Sequence, residues 1–172
     1  DEIPEDLIPD EKEIWKRIER LCEETGLSVP GEGIVPNDEQ RCMVYGYTTF
    51  GSLFTPRQLL ALLTFIKYVR LAYEEMEKEG YEEELAKGIE TYLGIMVDRL
   101  ADFNSSFCVL NVTGGRGVVH TFGRQAIPMC WDFAESNPFN EIGANWQACI
   151  DAAADTLKNC LFGGITQVLR TS

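Results

Sequence analysis

The densest set of reactive side chains lies in one run, Thr121 to Phe139, which places Arg124, Gln125, Trp131, Asp132, Glu135 and Asn137 among apolar residues. Polar groups crowded onto a short apolar segment can form a site, because each needs a hydrogen-bond partner once it leaves water. The same pattern fits a buried helix whose polar residues satisfy loop backbone. Asp98 and Asp102, four residues apart on one helix face, are a second candidate. They could serve acid–base or metal chemistry, or lie at a solvated edge and bond a neighbouring loop. Cys108, His120 and Cys130 lack a metal-ligand spacing and no Cys-x-x-Cys occurs, so no metal site is expected and His120 reads as structural. No Ser or Cys is matched to a His–carboxylate pair. Gly114-Gly115-Arg116-Gly117 separates two strand-like runs, whereas a phosphate-binding loop joins a strand to a helix, so it reads as a hairpin turn.

The elements that must position these residues are mainly α: a helical bundle of about five helices with one small β-hairpin and a C-terminal strand. Asp10, with Glu13 three residues on, opens the first helix as a capping box; Ile14, Trp15, Ile18, Leu21 and Cys22 form its stripe, and Gly26 ends it. Leu27 to Asp38 is a Pro- and Gly-rich loop, and Arg41 to Phe50 alternates as a short strand would. Thr55, Pro56 and Gln58 start the second helix, with Phe54 and Leu59 as a hydrophobic staple. Its body, Leu59 to Met76, is apolar on more than one face and should be central. Gly80 ends it, and the short connection to a third helix, Tyr81 to Phe103, predicts an antiparallel pair. Phe107–Asn111 and Val118–Phe122 are the hairpin strands. Pro128 and Pro138 bound a short helix of about Ile127 to Glu135, and the last helix covers about Gly143 to Leu161. Ile165–Leu169 reads as a strand with no partner in the chain, as though a sheet had been cut away, and a start at Asp1 instead of Met fits an excised piece.

At 172 residues and 45% hydrophobic content the chain can bury a real core, and no apolar run is long enough to span a membrane. Residues 1–40 form an acidic N-terminal helix and loop; 41–172 form the helical domain. No secretion signal opens the sequence. The six cysteines are scattered, with Cys22, Cys130, Cys149 and Cys160 on apolar faces of predicted helices, so a reduced, cytoplasmic protein is expected. Asn104-Ser105-Ser106 and Asn111-Val112-Thr113 fit the glycosylation pattern but are discounted for the same reason. The net charge of -13 is uneven: residues 1–40 carry net -9, residues 74–90 net -6 and the remainder net +2. That distribution opposes a non-specific nucleic-acid coat and leaves room for a local contact.

Asn137-Pro138-Phe139 is similar to the Asn/Asp-Pro-Pro-aromatic loop of amino-group methyltransferases, but it lacks the second proline and leaves a helix, not a strand. Longer motifs carry a broader likeness. Leu53-Phe54-Thr55-Pro56-Arg57-Gln58-Leu59-Leu60-Ala61-Leu62 and the Phe122–Phe139 run are its main parts. Tyr92-Leu93-Gly94, Asp98-Arg99-Leu100-Ala101-Asp102-Phe103-Asn104-Ser105 and Val168-Leu169-Arg170-Thr171-Ser172 join them. From about Gly46 onward the chain resembles part of a family of large prokaryotic adenine-specific DNA methyltransferases, some with a zinc ribbon. The family's glycine-rich S-adenosylmethionine loop lies upstream of this region and its Asp-Pro-Pro-Tyr catalytic loop downstream; this chain has neither.

The resemblance therefore implies a non-catalytic helical segment between cofactor and catalytic motifs, cut from a parent α/β methyltransferase. It implies S-adenosylmethionine in the parent and none in this piece. DNA, or RNA, would be met through the parent enzyme. Arg57, Gln58, Arg124 and Gln125 become candidates for phosphate or base contacts, with Asn104, Trp131, Asp132, Glu135 and Asn137 lining or bracing the pocket. The rival expectation is a structural or protein-interaction module, docking partners through its acidic N-terminal helix. Convergence of Arg57, Arg124, Asp132 and Asn137 on one concave surface favours a site; their dispersal into separate capping bonds favours the module.

Overall fold

A computed structural model of the chain describes residues 10–35, 41–112, 117–123, 126–127, 129–141 and 144–163, the side chains of 161–163 excepted. Among them the fold is mainly helical, with α1 (Glu11–Thr25), α2 (Pro56–Lys78), α3 (Glu83–Asp102) and α4 (Trp146–Gly163). No helix among the described residues is long and apolar enough to cross a membrane.

The second helix starts as its sequence dictates. Gln58 N donates to Thr55 Oγ1 (3.3 Å) and Thr55 N donates to Gln58 Oε1 (2.8 Å), which closes the capping box around Pro56. Phe54 packs against the cluster that holds Leu59, completing the staple. At its far end Gly80 takes φ +82°; Gly80 N bonds Glu77 O (3.1 Å) and Tyr81 N bonds Met76 O (3.0 Å), a Schellman stop. The third helix then returns antiparallel. Val69 lines a cleft with Glu90, Gly94 and Val97, whereas Leu62, one end nearer, lines another with Leu100 and Asn104. Leu62, Val69, Val97 and Leu100 form their shared buried cluster.

The first helix runs beside α2 in the same direction. Ile14 and Ile18 share a buried cluster with Leu59 and Leu63, while at the other end Lys67 meets Glu24 (3.5 Å) and Arg70 donates to Thr25 O (3.3 Å). Asp10 caps α1 through Lys12 N (3.4 Å), and Gly26 ends it in the left-handed region. The expected Asp10–Glu13 capping box does not close, because Glu13 reaches forward to Arg17 (3.3 Å). The chain must then travel back along α2 before entering it. Gly51 makes that crossing possible: its N–H bonds Pro30 O (2.8 Å), and a Cβ there would lie 2.5 Å from the same oxygen.

Three sequence expectations change. Arg41–Tyr45 is a 3₁₀ turn, with only a lone bridge between Gly33 and Thr49 nearby, so no strand forms over 41–50. The helix expected over 127–135 is absent: Ile127 and Met129–Glu135 run as irregular chain. So short a segment cannot hold a helix unaided, and its backbone bonds sideways instead, Ala134 N to Cys108 O (2.8 Å). The hairpin is reduced to one antiparallel bridge, Leu110 with Val118, and no longer ladder occurs among the described residues. The turn 113–116 lies outside the described residues, as do Pro128 and the strand expected over 165–169. The last helix opens at Asn145, whose Oδ1 accepts from Ala148 N (2.7 Å).

Candidate functional site

The N-terminus of α2 is where the polar candidates gather. Glu135, on the irregular segment, sets its carboxylate against that helix end. Thr55 Oγ1 donates to Glu135 Oε1 (3.1 Å), and Arg57 Nη2 donates to Glu135 Oε2 (2.7 Å). Thr55 can do this and still cap α2, because a hydroxyl accepts from Gln58 N through its lone pairs and keeps its own proton to donate. A carboxylate is favoured at a helix N-terminus by the exposed amide dipoles. The pair is half open to water, so it adds only about 0–1 kcal/mol to stability.

Behind that pair lies a pocket of about 170 Å³ lined by Arg57, Gln58, Asn104, Glu135 and Ser136, with Ala61, Leu62, Leu100 and Pro138 as its apolar wall. Asn104 is buried, and its Nδ2 donates to Leu100 O (2.9 Å). That burial also removes Asn104 from any surface modification. Ser136 Oγ donates to Ala144 O (3.1 Å). Gln58 is only 6% exposed, and its Nε2 has no partner among the described residues. The amide cannot flip to relieve this, since Thr55 N–H needs the oxygen where it is. A buried donor without a partner costs about 1–3 kcal/mol.

Four sequence candidates therefore converge: Arg57, Gln58, Asn104 and Glu135. Three do not. Trp131 is 75% exposed, and its ring meets that of Tyr45 in a T-shaped contact, centroids 4.7 Å apart. Asp132 is exposed, and its carbonyl accepts from Cys130 Sγ (3.3 Å). Asn137 closes a local turn, Oδ1 accepting from Phe139 N (3.0 Å). Arg124 and Gln125 lie outside the described residues. Thr55 and Ser136 join the site without having been singled out for it.

The carboxylate pair separates into different roles. Asp102 clasps the segment after the bridge: Oδ1 accepts from Phe122 N (2.8 Å) and Oδ2 bonds His120 Nδ1 (2.6 Å). Beneath it a relay runs from Phe107 N to Ser105 Oγ (3.0 Å), on to Thr121 Oγ1 (2.7 Å) and then to Asp102 O (2.8 Å). Asp98 is exposed beside the α2–α3 cleft with Arg70. Cys108 Sγ bonds Thr121 Oγ1 (3.3 Å), and no bond from it to His120 occurs among the described residues. Burial raises the Cys42 and Cys149 thiols above their ordinary range, which disfavours nucleophilic roles for them. No cluster of three His, Cys, Asp or Glu side chains able to hold a metal occurs among the described residues.

A larger groove, about 670 Å³, runs along α2 from Arg57 to Ala72 between α1 and the start of α4, with Phe65 in its wall stacked on Phe139 and tilted against Trp146. It is almost wholly apolar, with Arg17 and Arg57 as its charged residues.

No protein-family model, curated protein or solved structure matches the chain.

Proposed function

We propose that the chain is a non-catalytic helical segment of an S-adenosylmethionine-dependent, adenine-specific DNA methyltransferase, and that it helps to position the nucleic-acid target. One observation carries this reading. Three of the motifs behind the resemblance, the two main ones and the Asp98–Ser105 stretch, are far apart in sequence and meet at one pocket: Arg57, Gln58, Ala61 and Leu62 from the first, Leu100 and Asn104 from the stretch at 98–105, Glu135, Ser136 and Pro138 from the Phe122–Phe139 run. Motifs kept together only for packing would meet in an apolar core, whereas these meet around guanidinium, carboxylate and amide groups at a helix end. In the parent, S-adenosylmethionine would bind upstream of this segment and the target base would be extruded towards the downstream catalytic loop. The strand expected over Ile165–Leu169 would then join the parent sheet, and the enzyme would be cytoplasmic.

The test is methyl transfer by the full-length parent, with labelled cofactor and with DNA or RNA as acceptor. Label on adenine in DNA is expected; transfer to neither polymer sinks the reading. For this chain alone, calorimetry with S-adenosylmethionine should show no binding. A second reading, a protein-interaction module without substrate contact, is favoured by the open apolar groove and by the scattering of Trp131, Asp132 and Asn137 into separate contacts. Under it, substitutions at Arg57 and Gln58 in the parent would leave methyl transfer unchanged.

A further inference from the structure

The unpaired donor of Gln58 points to a specific kind of ligand. We propose that the pocket between the first turn of α2 and residues 135–138 binds a tetrahedral oxyanion such as phosphate. Gln58 Nε2 and the Arg57 guanidinium are its donors, and Glu135 is an internal competitor that holds Arg57 while the site is empty. Gln58 is 6% exposed, lines the pocket, and has a buried Nε2 with no partner among the described residues. Its Oε1 is committed to Thr55 N at 2.8 Å, so it is the donor side of the amide, itself buried, that is left without a partner.

The surrounding chemistry selects an anion. Arg57 spends one N–H on Glu135 and a guanidinium carries five, so donors remain. The carboxylate of Glu135 is already bonded through both oxygens. A ligand rich in donors would find little here, and one rich in acceptor oxygens would find Gln58 and Arg57 together at the positive end of a helix dipole. Glu135 is itself evidence for the preference: two carboxylate oxygens sit on Thr55 and Arg57, as two phosphate oxygens would. At about 170 Å³ the space suits a phosphate group and is small for a whole nucleotide. The Arg57–Glu135 pair is half open to water, so its displacement is cheap.

The free-phosphate form of this inference stands on geometry alone; the form in which the phosphate belongs to a nucleic-acid backbone rests on the proposed function. Titration calorimetry of the 172-residue chain, first with sodium phosphate and then with a single-stranded oligothymidylate, separates the two. Glu135→Gln removes the competing charge at constant shape, and phosphate should bind about tenfold tighter, the scale of one charge-assisted contact. Gln58→Glu keeps an acceptor for Thr55 N, preserving the capping box, but replaces the donor by a carboxylate and should abolish binding. Should that variant fail to fold, nuclear magnetic resonance of the Gln58 side-chain amide in the unaltered chain reads the same contact, and phosphate should move its signal. Oligothymidylate binding tighter than phosphate, and lost in Gln58→Glu, assigns the anion to a backbone. Equal affinity assigns it to free phosphate. An unmoved Gln58 signal, with no heat from phosphate even in Glu135→Gln, overturns the inference whatever the parent's methyl-transfer result.

Discussion

Thr55 does three things with one hydroxyl and one amide: it caps α2, receives the Gln58 side chain and donates to Glu135. Thr55→Ala removes the first and last together. The loss should be about 1–2 kcal/mol, the upper half of the range for cap deletions, because the Glu135 contact goes with it. Thr55→Ser should recover most of that, and thermal melts of the two variants decide it; an unchanged melting temperature in Thr55→Ala would show that the cap contributes nothing. At this scale the capping box was legible, since Thr-Pro-x-Gln before an apolar run leaves few alternatives. Glu135 was legible only as a polar residue in a crowded run. What the sequence hid is the partner: a contact across 78 residues leaves no local signature. Asp102 illustrates the converse, because its spacing from Asp98 proposed shared chemistry while its partners, His120 and Phe122, lay in a different segment.

Among the elements, the helices that announce their own ends came through: Gly26 and Gly80 stop α1 and α2, and the expected antiparallel pairing of α2 with α3 is present. Gly80→Ala places a side chain at φ +82° and should destabilise the chain by about 1–2 kcal/mol without altering α2 itself. Equilibrium urea unfolding measures this, and a loss below about 0.3 kcal/mol would mean the Schellman stop is dispensable. The segment between the two prolines failed as a helix for a reason of the same kind. Proline marks where a helix can begin or must stop, but it does not say whether the intervening amides prefer each other. Here Ala134 N found Cys108 O. The isolated bridge at Leu110 and Val118 shows the same weakness in strand-like patterns, which need a partner ladder that local sequence does not specify.

At the scale of the molecule, charge is divided unevenly along the chain. The acidic residues cluster in 1–40 and 74–90, whereas the pocket at Arg57 is built entirely from the block with net +2. A local anion contact is therefore compatible with a strongly acidic chain, as charge partition in the sequence already implied. The apolar excess along α2 was legible as well, since that helix is hydrophobic on more than one face and touches both α1 and α3. The parallel course of α1 beside α2 was not legible, because stripe patterns carry no direction.

That parallel course sets an order of events. The second and third helices are joined by a four-residue connection and can meet almost as soon as they form, whereas α1 is separated from α2 by the much longer connection 26–55. Closing that long segment costs chain entropy before the contacts of Ile14 and Ile18 return anything. The barrier to folding should thus contain the α2–α3 pair and exclude α1. Stopped-flow chevrons test it: Val97→Ala should slow refolding, while Ile18→Val should leave refolding nearly unchanged and accelerate unfolding. A refolding rate that falls with Ile18→Val would place α1 in the nucleus. If α1 is the last piece on, it is also the first off, and transient opening of this protein begins at its acidic end.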